Sequence, residues 1–389
     1  MKYYIIVGEA SGDLHASNLI KALKQHDPQA QIRALGGDKM AHAGATIAKH
    51  YQTFNFMGFW EVILNIRTIF RLFAFAKKDM LAYEPDAVIL VDYSGFNLRM
   101  AKFAKQKGFK TYYYISPKVW AWKKNRIETI RKYVDMLFVI FPFEVEFFRK
   151  NDLKNVLYVG NPLLDELHGF EFDTHFHQKH KLDSGKPIVA LLAGSRRQEV
   201  EKMLPTMLAI MPSLPEYQFC LAGAPSLPKS FYEPFINQKN VVLIDNQTYD
   251  LLQNAQIALV ASGTATLETA LIGTPQVVCY RGNPLSIVAA RWLIKNIKYI
   301  SLVNLILDKA AVLELIQGDF TVENLLEEME LIKQNGPKRL AMLEDYEDLK
   351  KMFGNENASQ NTAKHVVEDL KKYNQSQKMK KDIQVNKVS

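Results

Sequence analysis

The sequence is poor in cysteine and has no long apolar run. Its two cysteines among 389 residues, Cys220 and Cys279, both stand in apolar, strand-like segments. We expect buried free thiols in a reducing compartment, which excludes a disulfide framework. Nowhere do about 18 apolar residues follow one another, so no transmembrane helix is predicted. The first residues enter a strand directly and do not fit a signal peptide, so a cytoplasmic location is expected.

Several nucleotide and metal motifs are also missing. The chain has neither the G-x-G-x-x-G pattern of dinucleotide-binding domains nor the lysine-containing P-loop, and no D-x-D pattern occurs. A polar stretch contains His175, His177 and His180, but neither cysteines nor paired acids accompany them. We therefore interpret this stretch as a solvated linker and expect neither a metal nor another cofactor.

What the sequence does contain is positive charge and a regular alternation of strands and helices. The formal net charge of +8 favours anionic partners. Short apolar runs bounded by turn residues alternate with helical stretches, which predicts an α/β protein with parallel sheets covered by helices on both faces. The runs are Tyr3–Gly8, Gln31–Gly37, Ala87–Tyr93, Lys110–Ile115, Met136–Phe141, Val156–Gly160, Ile188–Gly194, Gln218–Gly223, Val241–Asp245, Ile257–Ser262 and Gln276–Tyr280.

The series of strands restarts after the histidine-rich stretch, which predicts two domains. We expect two doubly wound, Rossmann-like domains facing across a cleft, with ligands at the carboxyl ends of the strands. Residues 1–165 would form an acceptor- and membrane-facing domain, and residues 166–345 a nucleotide-binding domain. Helices in residues 346–372 would pack back on the first domain. Residues 373–389 are basic and poor in apolar residues, which predicts a disordered tail.

Three strand-to-helix turns are candidate binding sites, and the first is "GEASGD" at residues 8–13. A glycine such as Gly12 lets a ligand approach the backbone, and the following helix directs its first amides toward that ligand. The alternative is structural, because Ser11 or Asp13 would also serve as an ordinary helix N-cap. The two interpretations have equal weight for this turn.

The second turn is "GSRRQE", which follows a buried strand. Ser195 can cap the next helix, and Arg196 lies in its first turn. Cations are unfavourable at a helix N-terminus unless an anion is present, so Arg196 predicts a bound phosphate with bidentate donors. The alternative is that the arginines of this turn pair with Glu199 or Glu201 at the surface.

The third turn is "ASGTATLE". Ser262, Gly263 and Thr264 offer amides and hydroxyls at a helix start, and Glu268 lies one turn further along the same helix face. Amides and hydroxyls suit a diphosphate, and a carboxylate one turn away suits ribose hydroxyls. A capping arrangement with a solvated glutamate is the alternative. Two phosphate-type turns in one domain favour nucleotide binding.

Asp92 ends an apolar strand, in "VILVDYSGFN", and is the candidate general base. A carboxylate at such a place is costly to bury unless it is paired or takes part in chemistry. The alternative is an aspartate that only caps the next loop. The following basic and aromatic segment includes Lys118, Lys123 and Arg126. Because no nucleic-acid module accompanies it, we interpret this segment as contacting a sugar-phosphate acceptor and not a nucleic acid.

The segment at residues 54–78, "FNFMGFWEVILNIRTIFRLFAFAKK", is apolar over a wide arc and has cationic flanks. Such a helix suits an anionic membrane surface or acyl chains, although an ordinary core helix has the same pattern. The candidate membrane or acyl residues are Phe56, Phe59, Trp60, Ile63, Phe70, Phe73, Arg67 and Arg71.

Taken together, these segments resemble the lipid-A-disaccharide synthases, a family of GT-B glycosyltransferases. The resemblance covers the chain to about residue 372. It rests on the order of "GEASGD", "MGFWEV", "VDYSGFN", "YYISPKVWAWKKNRI", "FPFE", "VGNPLLD", "GSR", "ASGTATLE" and "SLVNLIL". One departure is Gly95, where many relatives carry a second acid, which argues against a proton shared between two carboxylates.

The resemblance implies an inverting, metal-independent transfer of diacylglucosamine from UDP to diacylglucosamine 1-phosphate at the inner face of the cytoplasmic membrane. Asp92 would be the catalytic residue and the second and third turns would hold UDP. Asn304 and Gln317 match positions near the uridine and the ribose. A homodimer is among the assemblies considered. The alternatives are an enzyme like UDP-N-acetylglucosamine 2-epimerase and a non-catalytic protein that binds sugar nucleotides or lipids.

Overall fold

The computed structural model describes residues 1–54, 66–119, 126–237, 240–282 and 298–385. The chain forms two compact units, the first of residues 1–165 and 355–389 and the second of residues 166–354. Each unit is built around its own parallel sheet, with helices between successive strands.

The strands alternate with helices in both units. Strands β1–β13 are Lys2–Ile6, Gln31–Gly36, Thr46–His50, Ala87–Val91, Lys110–Tyr114, Met136–Val139, Val156–Tyr158, Ile188–Leu192, Gln218–Gly223, Val241–Asp245, Ala255–Ala261, Gln276–Tyr280 and Leu313–Ile316. Helices α1–α16 are Ala10–His26, Asp38–His42, Ile66–Tyr83, Ser94–Gln106, Arg126–Tyr133, Pro142–Lys150, Pro162–His168, Phe176–Lys179, Arg197–Leu208, Lys229–Ile236, Thr248–Asn254, Thr264–Ile272, Leu302–Leu307, Val322–Ile332, Arg339–Phe353 and Ala358–Val385. Three short 3₁₀ turns are Tyr51–Thr53, Met211–Ser213 and Gln317–Asp319.

Both sheets have the doubly wound strand order. Within the described residues the first sheet runs β3-β2-β1-β4-β5-β6-β7 and the second runs β10-β9-β8-β11-β12-β13. The order reverses between β1 and β4 in the first unit and between β8 and β11 in the second. Ligands of such sheets bind outside the carboxyl ends of the strands at this switch point. Asp92 follows β4, and the second and third predicted turns follow β8 and β11.

The strands are apolar because both faces of each sheet are covered. Every residue of β4 and of β8 is buried. In the first sheet, side chains that alternate along a strand enter two separate cores: Tyr4 and Ile6 pack on one face, and Tyr3 and Ile5 on the other. The result agrees with the continuous apolar runs that predicted buried parallel strands. Both cysteines are free and buried, as the composition predicted.

The C-terminal boundaries differ from the prediction. Helix α15 stays with the second unit, where the buried hydroxyl of Tyr346 accepts a hydrogen bond from Nε2 of Gln276 at 3.2 Å. The change of unit therefore falls after Gly354 and not after residue 345. The predicted disordered tail is wrong as far as Val385, because α16 continues to that residue. Low hydropathy predicts exposure, but lysine, glutamine and methionine all have high helix propensity.

Helix α16 returns the chain to the first unit and completes its core. Val366, Val367 and Leu370 are buried in the same apolar cluster as Ile20 of α1. The carboxylate of Asp165, at the end of the preceding segment of this unit, accepts hydrogen bonds from the amides of Ala358 and Ser359, both at 3.0 Å. These bonds satisfy amides of the first turn of α16 that have no partner within the helix.

Asp13, in the first predicted turn, has a structural role. Its buried carboxylate accepts hydrogen bonds from the amides of Gly37 at 2.8 Å, Lys39 at 3.1 Å and Met40 at 3.3 Å. It therefore caps helix α2, which lies next to α1, and does not cap its own helix.

We expect Asp13→Ala to lower the free energy of unfolding by about 1–3 kcal/mol, because it leaves buried amides without their acceptor. Urea unfolding of the purified variant measures the loss. Asp38→Ala is the matched control, since that carboxylate is 82% exposed and should change stability by less than about 0.5 kcal/mol. Equal losses in the two variants would contradict the capping role.

Candidate active site

A cavity of about 550 Å³ lies at the carboxyl ends of strands β8, β9 and β11 in the second unit. It brings together six residues that the sequence predicted to bind the donor. They are Ser195, Arg196, Ser262, Gly263, Thr264 and Glu268. The end of β9 contributes small residues, Ala222, Gly223 and Ala224, which leave the wall open to a ligand.

The turn after β8 is shaped by Gly194 and Glu199. Gly194 has a φ of +117°, and a Cβ there would lie 2.7 Å from the Cβ of Glu199, so a larger residue does not fit. The Glu199 carboxylate accepts hydrogen bonds from the amides of Ser195 at 3.1 Å and Arg196 at 3.3 Å. The turn is thus held by its own glutamate. For an anion in the cavity, the charged donor of this turn is therefore the guanidinium of Arg196.

The two arginines of this turn have different surroundings. Arg196 lines the cavity, with its Nη1 atom 3.7 Å from Oε1 of Glu199. The guanidinium of Arg197 stacks over Phe231, 4.3 Å from the ring centroid, and lies 3.9 Å from Glu201. Both arginines thus lie near a glutamate, as the alternative interpretation expects, but Arg196 is the one of the two that also lines the cavity, which makes it the candidate ligand residue.

The turn after β11 starts helix α12 at the same cavity. Gly263 is the N-cap residue, and Thr264 and Ala265 form the first helical positions. The first amides of any helix lack partners within the helix, and they carry a partial positive charge. The hydroxyl of Ser262 donates to the carbonyl of Ile300 at 3.1 Å, which fixes the turn below these amides. The cavity therefore faces a helix start suited to a phosphate.

Glu268 lies one turn into α12 and is half-buried at the wall of the cavity. Burial raises the pKa of the neighbouring Tyr249, and the negative charges of Glu268 and Glu166 raise it further. The phenol thus stays protonated beside two carboxylates. The position of Glu268, one turn from the helix start, is the one predicted for a contact with ribose hydroxyls.

Three predicted donor-binding residues do not line this cavity. Gly12 belongs to the first unit, where a Cβ would lie 3.2 Å from the Cβ of Val7, so it permits close packing of α1 on the sheet. Asn304 is buried, and its amide nitrogen donates to the carbonyl of Val312 at 2.8 Å and to Glu314 at 2.9 Å. Its side-chain oxygen accepts from the amide of Val312 at 3.0 Å, so Asn304 secures this loop.

Gln317 differs from Asn304 because part of its side chain lacks a partner. It directly follows β13 and has a left-handed φ of +57°. Its Nε2 atom is buried and has no hydrogen-bond acceptor among the described residues. Buried amide donors are normally satisfied, so this atom is a candidate contact for a ligand at the carboxyl edge of the sheet.

Asp92 stands at the switch point of the first unit in a strained conformation. Asp92 and Tyr93 have φ values of +45° and +47°, which residues other than glycine rarely adopt. The amide of Asp92 donates to the carbonyl of Tyr114 at 3.0 Å. The carbonyl of Asp92 accepts from Nδ2 of Asn97 at 2.8 Å and from the hydroxyl of Tyr113 at 2.5 Å. The backbone is held on both sides, which fixes the direction in which the side chain leaves it.

The turn after β1 contributes the other wall of this site. The ring of Tyr93 lies so close to Gly8 that a Cβ on Gly8 would be 2.2 Å from it. Burial raises the pKa of Asp92 to about 6, and the negative charge of Glu9 adds to the rise. The positive charge of Lys118, which is itself exposed, acts in the opposite direction. Asp92 is therefore a carboxylate at neutral pH with a proton affinity suited to a general base.

A general base must be ionised to accept a proton. With Asp92 as that base, we expect kcat/KM of the catalysed reaction to rise with pH through a midpoint near 6, the pKa of Asp92. Glu9→Gln removes a negative charge and should move that midpoint to lower pH. Initial rates at saturating and limiting substrate from pH 4.5 to 8.5 measure it. Glu146→Gln, on an exposed carboxylate paired with Lys150, is the control. An unchanged midpoint in Glu9→Gln would contradict the electrostatic coupling.

Of the three residues predicted to contact the acceptor, Lys118 and Arg126 lie among the described residues. The guanidinium of Arg126, at the start of α5, donates to the hydroxyl of Ser94 at 2.8 Å, so it lies beside the turn that carries Asp92. Lys118 acts on Asp92 from the loop after β5. Lys123 lies outside the described residues.

The predicted membrane segment is described from residue 66 onward, and Phe56, Phe59, Trp60 and Ile63 lie outside the described residues. On helix α3, Phe70 is 62% exposed, and Arg67 and Arg71 beside it are exposed as well. Phe73 points the other way: it is 8% exposed and stacks on Phe96 with ring centroids 4.2 Å apart. The prediction that Phe73 faces a membrane is therefore wrong, because it lies on the core side of the helix.

The described residues contain neither a cluster of metal ligands nor a membrane-spanning helix. Among them, no group of three or more histidine, cysteine, aspartate or glutamate side chains is arranged to hold a metal ion. In the same residues, no helix is both long enough and apolar enough to cross a bilayer.

Solved structures with a similar fold are UDP-sugar enzymes and glycosyltransferases. UDP-GlcNAc 2-epimerase from Methanocaldococcus jannaschii, in complex with UDP-GlcNAc and UDP, has a TM-score of 0.61 at 14% identity and covers 94% of this chain and 99% of its own. The glycotransferase of kitacinnamycin has a TM-score of 0.63 at 12% identity, with coverage of 95% and 99%. At these identities the likeness concerns the fold alone. The predicted GT-B class, with two doubly wound parallel-sheet domains, is confirmed.

Sequence comparison gives the family. A lipid-A-disaccharide synthase from Syntrophus aciditrophicus (strain SB) is 37% identical over 375 residues, which cover 95% of this chain and 97% of that protein. The enzyme of the same name from Coxiella burnetii (strain Dugway 5J108-111) is 35% identical over 370 residues, with coverage of 94% and 97%. A family model described as lipid-A-disaccharide synthetase matches residues 3–378. With this match across nearly its whole length, the chain belongs to the lipid-A-disaccharide synthetase family.

Proposed function

We propose that this protein transfers 2,3-diacylglucosamine from UDP to the 6-hydroxyl of 2,3-diacylglucosamine 1-phosphate. The product is a β-1,6-linked disaccharide 1-phosphate, as required for lipid A, and UDP is released. The observation that carries the proposal is the cavity of the second unit, which unites Arg196 with the helix start at Thr264 and with Glu268. Membership of the family agrees with this reaction.

The second unit would hold the leaving group. As the anomeric bond breaks, negative charge develops on the diphosphate. The guanidinium of Arg196 and the first amides of α12 are fixed donors that stabilise this charge without reorganising. Glu268 would accept hydrogen bonds from the ribose. These protein donors make a metal unnecessary for departure of UDP in the proposed reaction.

The first unit would supply the base. Asp92 accepts the proton of the acceptor hydroxyl while its oxygen attacks the anomeric carbon from the face opposite UDP. One bond forms and one breaks at that carbon, so the α configuration of the donor becomes β in the product. Because the pKa of Asp92 is about 6, it is ionised at neutral pH and can take the proton.

The test is mass spectrometry of the products from diacylated UDP-glucosamine and its 1-phosphate acceptor, with and without a chelator. We expect the disaccharide 1-phosphate in equal yield in both reactions. Loss of product with chelator would contradict metal independence, and absence of product in both would refute the transferase. A parallel incubation with UDP-N-acetylglucosamine would reveal the manno epimer if the activity were that of an epimerase.

We further propose that the protein acts while attached to the inner face of the cytoplasmic membrane, through helix α3. Phe70 and Phe75 are 62% and 37% exposed, and Arg67 and Arg71 lie beside Phe70. Exposed aromatic side chains next to cations suit the boundary of anionic headgroups and acyl chains.

We expect Phe70→Ser with Phe75→Ser to reduce flotation with vesicles of phosphatidylglycerol, because the variant loses apolar area at the contact. Co-flotation on a sucrose gradient measures the bound fraction. Leu340→Ser is the matched control, since Leu340 is 74% exposed on a helix of the second unit. Equal flotation of a folded double variant and the wild type would exclude α3 as the membrane contact.

A further inference from the structure

A second cavity, of about 520 Å³, lies in the first unit between helices α4 and α5. Gly95, Leu98, Arg99 and Lys102 line it from α4, and their spacing of three and four residues places them on one helix face. The face of α5 that lines the cavity begins with Arg126. Side chains from two helices therefore converge on one space.

The lining is strongly cationic. It contains four cationic side chains and a single carboxylate. The cations are Arg99, Lys102, Arg126 and Lys132, and the carboxylate is Glu128. Glu128 is already engaged, because it accepts hydrogen bonds from Arg131 and lies 3.2 Å from Nζ of Lys132.

The other three cations have contacts that orient them but do not neutralise them. The guanidinium of Arg99 lies 5.6 Å from the ring centroid of Phe73, and Nζ of Lys102 lies 5.9 Å from that of Tyr133. Arg126 donates to the neutral hydroxyl of Ser94. Within the described parts of the chain, none of these three cations forms an ion pair with a carboxylate, so they attract an anion into the cavity.

The cavity begins next to the candidate base. Ser94 and Gly95, two and three residues after Asp92, form part of its lining, and three residues span at most about 11 Å. A Cβ built on Gly95 would meet no atom within 4 Å, so the absence of a side chain leaves this edge of the cavity open. Arg99 and Lys102 follow Gly95 by four and seven residues on α4, so the cationic part of the cavity begins about one helical turn, roughly 6 Å, beyond this edge.

We propose that this cavity binds the phosphate monoester of the acceptor, with Arg99 and Lys102 as its principal ligands and Arg126 as an anchored third. The inference rests on the proposed function and adds two residues that the sequence analysis did not single out. A phosphate monoester carries up to two negative charges and three acceptor oxygens, which suit a bidentate arginine beside two further cations. Bound there, it would position the sugar so that the 6-hydroxyl meets Asp92.

The test compares two acceptors, 2,3-diacylglucosamine 1-phosphate and its dephosphorylated form, in micelles of a neutral detergent. For Arg99→Gln with Lys102→Gln, we expect KM for the phosphorylated acceptor to rise by about 10- to 100-fold, because charge-assisted bonds are lost. Values for the dephosphorylated acceptor should not change. Lys105→Gln is the control on the same helix, because Lys105 pairs with Asp135 at 2.5 Å and lies outside the cavity.

An unchanged preference for the phosphorylated acceptor in the double variant would overturn the assignment. Binding of the two glycolipids in the same micelles, measured by calorimetry, tests the site without turnover. If no disaccharide forms but the variant loses the binding preference, the proposed reaction fails and the site stands. Membrane phosphodiesters are the other source of phosphate. Reduced flotation with phosphatidylglycerol vesicles and unchanged acceptor preference would assign the cavity to lipid headgroups and overturn the acceptor assignment.

Discussion

Asp92→Asn is expected to lower kcat by about a hundred- to ten-thousand-fold, the usual contribution of a positioned general base, and to leave the affinity for UDP unchanged. The amide has the same shape as the carboxylate but cannot take up the proton of the acceptor hydroxyl. The backbone contacts of residue 92 to Tyr113, Tyr114 and Asn97 do not involve its side chain, so the turn should keep its conformation. Single-turnover disaccharide formation and calorimetry with UDP measure the two quantities.

The stability of the same variant separates a chemical defect from unfolding. The pKa of Asp92 is raised from 3.8 to about 6, so folding disfavours its charged form relative to the unfolded chain. This penalty is absent below about pH 4, grows as pH rises toward 6 and is complete above it. At pH 7.5 Asp92→Asn should therefore be more stable than the wild type by about 1–2 kcal/mol, after allowance for its partial exposure.

A variant that is inactive and equally or more stable would support Asp92 as the base. Asp152→Asn serves as the control, because that carboxylate is 86% exposed and the substitution should alter neither activity nor unfolding. Wild-type turnover in Asp92→Asn would remove the catalytic assignment. A strongly destabilised Asp92→Asn would show instead that the charge supports the fold.

Arg196→Ala is expected to weaken UDP binding by about 10- to 100-fold, because a charge-assisted hydrogen bond to a phosphate is worth about 1.5–3 kcal/mol. The neighbouring Arg197 provides a matched control of equal charge. Arg197→Ala should leave UDP binding unchanged, since that side chain stacks on Phe231 and does not line the cavity.

Calorimetry at two salt concentrations distinguishes a direct ligand from a long-range charge effect. If Arg196 contacts the diphosphate, its removal should weaken binding at both low and high salt, because close contacts are screened less than distant charges. Equal losses for the two alanine variants would reduce the role of Arg196 to general electrostatics and would contradict the assignment.

The predicted runs include every strand in the interior of the two sheets and also the edge strands β7 and β10, whose sequences VLY and VVLID are apolar although they are partly exposed. Two strands were missed, and both lie at a sheet edge: β3, with the sequence TIAKH, and β13, with the sequence LELI. Each contains a charged residue, Lys49 in β3 and Glu314 in β13, so no continuous apolar run identifies them. The strand order, which sets the switch points, depends on pairing between strands that are distant in the sequence. A local pattern of residues carries no information about such pairing.

A candidate site residue can be predicted from the sequence where its residue type is unusual at that position in a strand or helix. Arg196 at a helix start and Asp92 after an apolar strand are both unusual for their local surroundings, and the structure places each at a switch point. Gly12 and Asn304 carry no such mark, and their packing and hydrogen-bond partners emerge only in the folded chain. Glu9 belongs to the first predicted turn, but its effect on the pKa of Asp92 depends on the pairing of β1 with β4, which the local sequence does not reveal.

The return of α16 to the first unit has a consequence for biosynthesis. Residues 1–165 leave the ribosome early, but the helix that covers Ile20 and its neighbours is translated after the whole second unit. Until α16 has left the ribosome, this apolar surface has no covering helix, although the second unit already has its complete sequence. The second unit can therefore mature before the first, and a message cut short after Gly354 would yield a product whose N-terminal half stays open to chaperones and proteases.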